Sequence, residues 1–228
     1  DDHGEKDDHD DHDDHDDHSE KDDHDDHDDH SEKDDHDDHD DHGEKDDHDD
    51  HDDHHHGEHD PHAWLSPENA KIWLNLIAAR LSEFDPTNAG SYYANAAAGQ
   101  TEIDSLVNDV NSILDPVRGR NFVVFHDAYQ YFEKRFGLNG AGALMVHSGH
   151  SPSAKRLFEV RKKILNANVT CVFREPQFDG RIAQSVVRGT SAKVGLLDPL
   201  GTSVKPGPDG YMQIIRDISK NLSDCLKR

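Results

Sequence analysis

Long apolar runs are missing from this 228-residue chain, and cysteine is nearly so, with Cys171 and Cys225 alone. No run approaches the roughly 20 apolar residues that a bilayer-crossing helix needs, so no membrane-spanning helix is expected. Two cysteines so far apart cannot form a CxxC zinc knuckle or redox motif. They leave two readings, a pair of buried thiols or one disulfide, and the second would place the protein outside the cytosol. Also lacking are a nucleophile elbow, an HExxH helix and a phosphate-binding glycine loop, so no catalysis is expected. The chain opens on Asp and shows no signal sequence, which reads as a processed chain or a fragment.

What the chain has in excess is acid, and nearly all of it lies at one end. Residues 1–59 are Asp-Asp-His triplets punctuated by Glu-Lys, ending in His54-His55-His56-Gly57-Glu58-His59. They hold 28 Asp, 5 Glu and 4 Lys, a charge of −29; the whole chain is −26, so residues 60–228 carry +3. An acidic arm therefore precedes a near-neutral body. Nucleic acid is an unsuitable partner, because the arm repels phosphate and the body has no basic stripe. With so little apolar surface to offset the entropy of ordering, the tract is expected to be disordered.

Chemically the tract is suited to cations. Its carboxylates concentrate them, and its imidazoles coordinate them more weakly as pH falls. Successive histidines are three residues apart, about 10 Å in an extended chain, too far to chelate one ion without bending. Many exchangeable sites of modest affinity are expected, with His54, His55, His56 and His59 at the end nearest the body. A repeat expanded by replication slippage is the competing reading.

Beyond the tract the pattern is helical, then alternating. Ser66-Pro67 reads as an N-cap followed by proline at the first helical position. Ile72, Trp73, Leu76, Ile77 and Leu81 follow at helical spacing until Asp85-Pro86. Residues 86–114 predict one long helix with Gly99 as its weak point. Strands are then predicted at 121–126, 141–147, 169–173 and 192–197. Helices are predicted at 128–136, closed by Gly137, and at 152–166, 180–188 and 210–226. This alternation predicts an α/β fold whose four-stranded parallel sheet is flanked by helices.

Ligands of such sheets sit beyond the carboxyl ends of the strands. His126 ends the first predicted strand, and Asp198 the fourth. His62 follows Asp60-Pro61, whose proline stiffens the loop ahead of a capped helix. Two imidazoles on rigid elements suit Zn²⁺, which takes neutral nitrogen and needs four ligands, with Asp198 or water as a further donor. The plainer readings are a hydrogen-bonded packing residue for His126 and a turn former for Asp198. His147 and His150, flanking Ser148-Gly149, read as solvated loop residues.

Four ordered motifs carry a resemblance: Asp60-Pro61-His62-Ala63-Trp64-Leu65-Ser66-Pro67, Phe125-His126-Asp127-Ala128-Tyr129, Cys171-Val172-Phe173-Arg174-Glu175-Pro176-Gln177-Phe178 and Leu197-Asp198-Pro199-Leu200-Gly201. In this order, and after a His-rich loop, they resemble the zinc-uptake solute-binding proteins of ABC importers, within the cluster A-I metal-binding family. The resemblance covers essentially residues 60–228. It implies two lobes joined by a long helix, with one Zn²⁺ held between them, usually by three histidines. His62 corresponds to the second of these and His126 to the third; the first belongs to a lobe segment not among these residues. Asp198 falls where manganese-type relatives place a carboxylate ligand. Cys171 and Cys225 match a C-terminal disulfide.

On that resemblance residues 60–85 are the remnant of an N-terminal lobe, 86–114 the interlobe helix and 115–228 the C-terminal α/β lobe. The implied role is a periplasmic, monomeric zinc-capture component that delivers Zn²⁺ to a membrane permease. Two alternatives are a metal-dependent surface adhesin and a zinc hydrolase. The hydrolase would need a general base beside the metal, and none is evident next to His62 or His126.

Overall fold

A computed structural model of the chain describes residues 60–145 and 151–227. The expected disorder and cation binding of the tract, with His54, His55, His56 and His59, lie outside the described residues, as do His147 and His150. All described residues belong to the compact unit His51–Arg228.

Helix α1 spans Pro67–Phe84, entered as predicted: the Ser66 hydroxyl accepts from the Asn69 amide at 3.3 Å, with proline in the first turn. A short turn at Pro86–Asn88, capped by Asp85, leads into α2, Ala89–Leu114. The helix runs unbroken through Gly99. A Cβ there would stand 3.0 Å from Leu74 Cδ1, so the glycine admits α1 close against α2. The two helices pack as a pair, with Ala78 and Ala96 buried.

After α2 the chain alternates: β1 Asn121–His126, α3 Gln130–Phe136, β2 Asn139–Met145, α4 Ala154–Asn166, β3 Cys171–Arg174, α5 Gly180–Val187, β4 Lys193–Leu196 and α6 Gly210–Leu226. Helix α3 starts two residues later than predicted, because the Ala128 amide turns back onto the His126 carbonyl at 2.9 Å. Gly137 closes it as expected, at φ 64, a left-handed conformation that glycine adopts without strain. Strand β2 begins two residues earlier than expected. Helix α4 starts two residues later than predicted, capped by the Ser153 hydroxyl, which accepts from the Arg156 amide.

The four strands form one parallel sheet in the order β2-β1-β3-β4. Strand side chains alternate between faces. Phe122 and Val124 of β1 join the core containing Leu106, Val110, Ile215, Ile218 and Leu222, which belong to α2 and α6. Val123 and Phe125 join a second core containing Val160, Ile164, Ala183 and Val186 of α4 and α5. Helices thus cover both faces. Cys171 and Cys225 form a disulfide, Cα–Cα 6.2 Å, that ties β3 to α6.

The strand order fixes where a ligand can sit. From β1 the chain first winds outward to β2, then crosses back over β1 to β3. The two crossovers diverge between β1 and β3 and open a crevice at their carboxyl ends. His126 ends β1, and Glu175 follows the last residue of β3.

Candidate metal centre

His126 is buried, and its Nδ1 lies 2.8 Å from Oε1 of Glu175, which is 1% exposed. Glu175 reaches this place because β1 and β3 are parallel neighbours with Phe122 opposite Cys171, a register that brings the residue after β3 level with His126. Phe178 stacks on Phe125 at 4.6 Å and meets the His126 ring edge-on at 5.6 Å, walling the imidazole on one side. Tyr129 closes another side at 6.5 Å. Burial, then the charge of Glu175, hold the Tyr129 hydroxyl well above the usual phenol range.

His62 is built by its own loop. Asp60 Oδ1 accepts from the His62 amide at 2.9 Å and faces its Nδ1 at 2.7 Å. The loop is pinned at several points. Leu65 is fully buried, Asn69 Nδ2 donates to the Ala63 carbonyl at 3.0 Å, and Trp64 Nε1 donates to the Pro199 carbonyl at 3.1 Å. The Trp64 ring also stands 5.3 Å from that of His62.

These two constructions converge. Each histidine has Nδ1 against a carboxylate and so turns Nε2 outward; the two Nε2 atoms are 3.3 Å apart. Two nitrogens bound to one tetrahedral Zn²⁺ at 2.0–2.1 Å would stand about 3.3–3.4 Å apart. A carboxylate behind each ligating imidazole is the usual support of such a donor, fixing its tautomer and ring orientation. The pair suits a divalent, nitrogen-preferring cation.

Asp198 has other neighbours. Its Oδ2 accepts from the Thr202 amide and hydroxyl at 2.6 and 2.7 Å, and Gln177 Nε2 donates to Oδ1 at 3.3 Å. Burial acts to raise this carboxyl, but the Thr202 and Gln177 hydrogen bonds outweigh it and hold it below its ordinary value. Asp198 lies two residues beyond β4, in a turn whose next residue accepts the Trp64 indole. Among the described residues no group of three or more His, Cys, Asp or Glu forms a metal cage. Sequence reasoning missed Glu175 and Asp60 as supports. Asp60 was legible as an Asp two residues before a candidate ligand, whereas Glu175 needed the strand order.

The family model described as "Zinc-uptake complex component A periplasmic" matches residues 2–225. The chain belongs to this family. A high-affinity zinc uptake system protein ZnuA from Brucella suis is 46% identical over 172 residues, covering 75% of this chain and 52% of the relative. The chain thus spans about half the length of the curated relatives it matches. Among solved structures, one described as a crystal structure of ZnuA aligns with a TM-score of 0.64 at 32% identity, covering 72% of this chain and 61% of that one. A laminin-binding adhesin mutant from Streptococcus agalactiae aligns with a TM-score of 0.66 at 31% identity, covering 74% and 63%. The parallel sheet with its flanking helices is therefore the ZnuA-like fold. No helix among the described residues is long and apolar enough to cross a membrane.

Proposed function

We propose that this chain is part of the zinc-binding component of a high-affinity zinc ABC importer, acting outside the cytoplasm, capturing Zn²⁺ and delivering it to a membrane permease. His62 and His126 supply two nitrogen donors to the transported ion. The observation that carries the reading is the 3.3 Å convergence of two Nε2 atoms, each imidazole backed by a carboxylate. Names of the relatives support zinc as the cargo. Asp198 acts in this reading by holding the 198–202 turn rather than as a donor.

Residues 60–85 are read as the remnant of a first lobe, 86–114 as the connector and 115–228 as the second lobe. The surface of α1 supports that division. Ile72, Leu76, Ile77 and Phe84 are 56%, 58%, 55% and 86% exposed, an apolar stripe that a monomeric domain seldom leaves bare. A longer relative has additional chain with which to cover it. The Asp-Asp-His tract is read as an accessory collector of cations, with the tight site in the folded body.

Zinc titration followed through tryptophan emission tests the reading, because Trp64 touches the site and both tryptophans lie outside the tract. In a Trp73→Phe background the remaining indole reports on His62. His62→Ala and His126→Ala should each abolish the emission change, while weak binding by the tract persists. Unchanged titrations in both variants would overturn the proposal.

A further inference from the structure

Glu175 is the least expected charged group in the molecule. It is 1% exposed, follows the strand residues Val172 and Phe173, themselves fully buried, and its Oε2 has no hydrogen-bond partner among the described residues. Burying a carboxylate so incompletely satisfied is costly, and such groups persist where the surroundings require them. Its Oε1 faces His126 Nδ1 at 2.8 Å, and the carboxyl group also acts on the buried Tyr129 hydroxyl beside it. The carboxylate behind His62 is built differently. Asp60 lies on the same loop as its histidine, two residues away. Glu175 is anchored by a different strand: Arg174 pairs with Leu196, and the Glu175 carbonyl accepts from the Phe178 amide at 3.3 Å.

Resting on the zinc site proposed above, we infer that Glu175 is a positioning residue for metal capture: it keeps the His126 proton on Nδ1, so that Nε2 presents a lone pair toward His62. A carboxylate can only accept. Facing Nδ1, it selects the imidazole form protonated there. An amide in its place could rotate and donate instead, placing the proton on Nε2, where it would block the metal. Glu175 thus fixes His126 from β3, as Asp60 fixes His62 from its own loop.

The test uses the full 228-residue chain. Long-range ¹H–¹⁵N correlation spectra of the imidazoles, with His126 identified by its loss in His126→Ala, should show Nδ1 protonated. Glu175→Gln should move the proton toward Nε2 and weaken Zn²⁺ binding, read by Trp64 emission in the Trp73→Phe background, by about 10- to 100-fold. An unprotonated Nδ1 in the unmodified chain overturns the inference, even if the variant fails to fold. Zinc binding within about threefold of the parent also overturns it, as does lost affinity with the tautomer unchanged, which marks general loosening instead. If His62→Ala and His126→Ala leave binding intact, the site itself is misassigned; if they abolish it and Glu175→Gln does not, only the role of Glu175 falls.

Discussion

Trp64 Nε1 donates to the Pro199 carbonyl at 3.1 Å across 135 residues of sequence, fastening the loop that carries His62 to the turn built by Asp198. This contact joins the segment ahead of α1 to the end of the sheet. Trp64→Phe keeps an aromatic side chain but removes the donor and part of the indole's packing, and is expected to cost at least about 1 kcal/mol of stability. It should also weaken zinc binding several-fold, because His62 loses a tether. Denaturant unfolding and competition with a chelator check both; full retention of affinity would show that Leu65 and Asn69 suffice.

Asp198 separates two accounts of the site. If it builds the turn, Asp198→Ala strips the acceptor from the Thr202 amide and hydroxyl and destabilises the protein by about 1–3 kcal/mol. Co²⁺ bound in place of zinc should then give the parent's visible absorption bands at reduced affinity. A changed band pattern would make Asp198 a ligand.

The disulfide closes a loop of 54 residues around β4 and joins the sheet to α6. Constraint of the unfolded chain predicts that replacing both cysteines by alanine costs about 4 kcal/mol in the loop-entropy account. Unfolding of the double variant, compared with the oxidised parent, measures this. A much smaller loss would show that the native packing around Cys171, which is fully buried, carries the stability by itself.

Glu133 on α3 stands over Gly140, where a side chain would collide with its carboxyl group. Burial, then the charge of Asp127, push it up to about 7 from the usual 4.5. The folded state binds this proton more tightly than the unfolded one. The stability tied to it is therefore complete below about pH 4.5 and is lost as pH rises through 7. Glu133→Gln should match the parent at pH 4 and exceed it by up to about 3 kcal/mol at pH 8. Equal stability at both pH values would mean that water reaches the carboxylate.

Much of this was legible along the chain. The Ser66-Pro67 cap, Gly137, the strand 121–126 and the last helix 210–226 follow from local stereochemistry and apolar spacing, and lie where those rules put them. Strand boundaries drifted by up to two residues where pairing partners, not the strand's own residues, set the ends. Helix propensity marks Gly99 as a weak point but cannot reveal that Leu74 packs against it. The apolar spacing of α1 was correct as a helix signal, yet it did not say that Ile72, Leu76 and Ile77 face solvent in this chain.

For the metal centre the division is similar. The sequence determined that His62 sits on a proline-stiffened loop, that His126 ends a buried strand, and that the acidic charge belongs to the tract. Periodicity and composition act over a few residues and are written in the chain. Tertiary structure alone decided that β3 lies beside β1, bringing Glu175 to within 2.8 Å of His126 across 49 residues. It also decided that the two Nε2 atoms converge to 3.3 Å, and that Trp64 reaches the Pro199 carbonyl. Those relationships depend on strand order and loop docking, set by how two apolar faces of one sheet are covered, which no local pattern encodes.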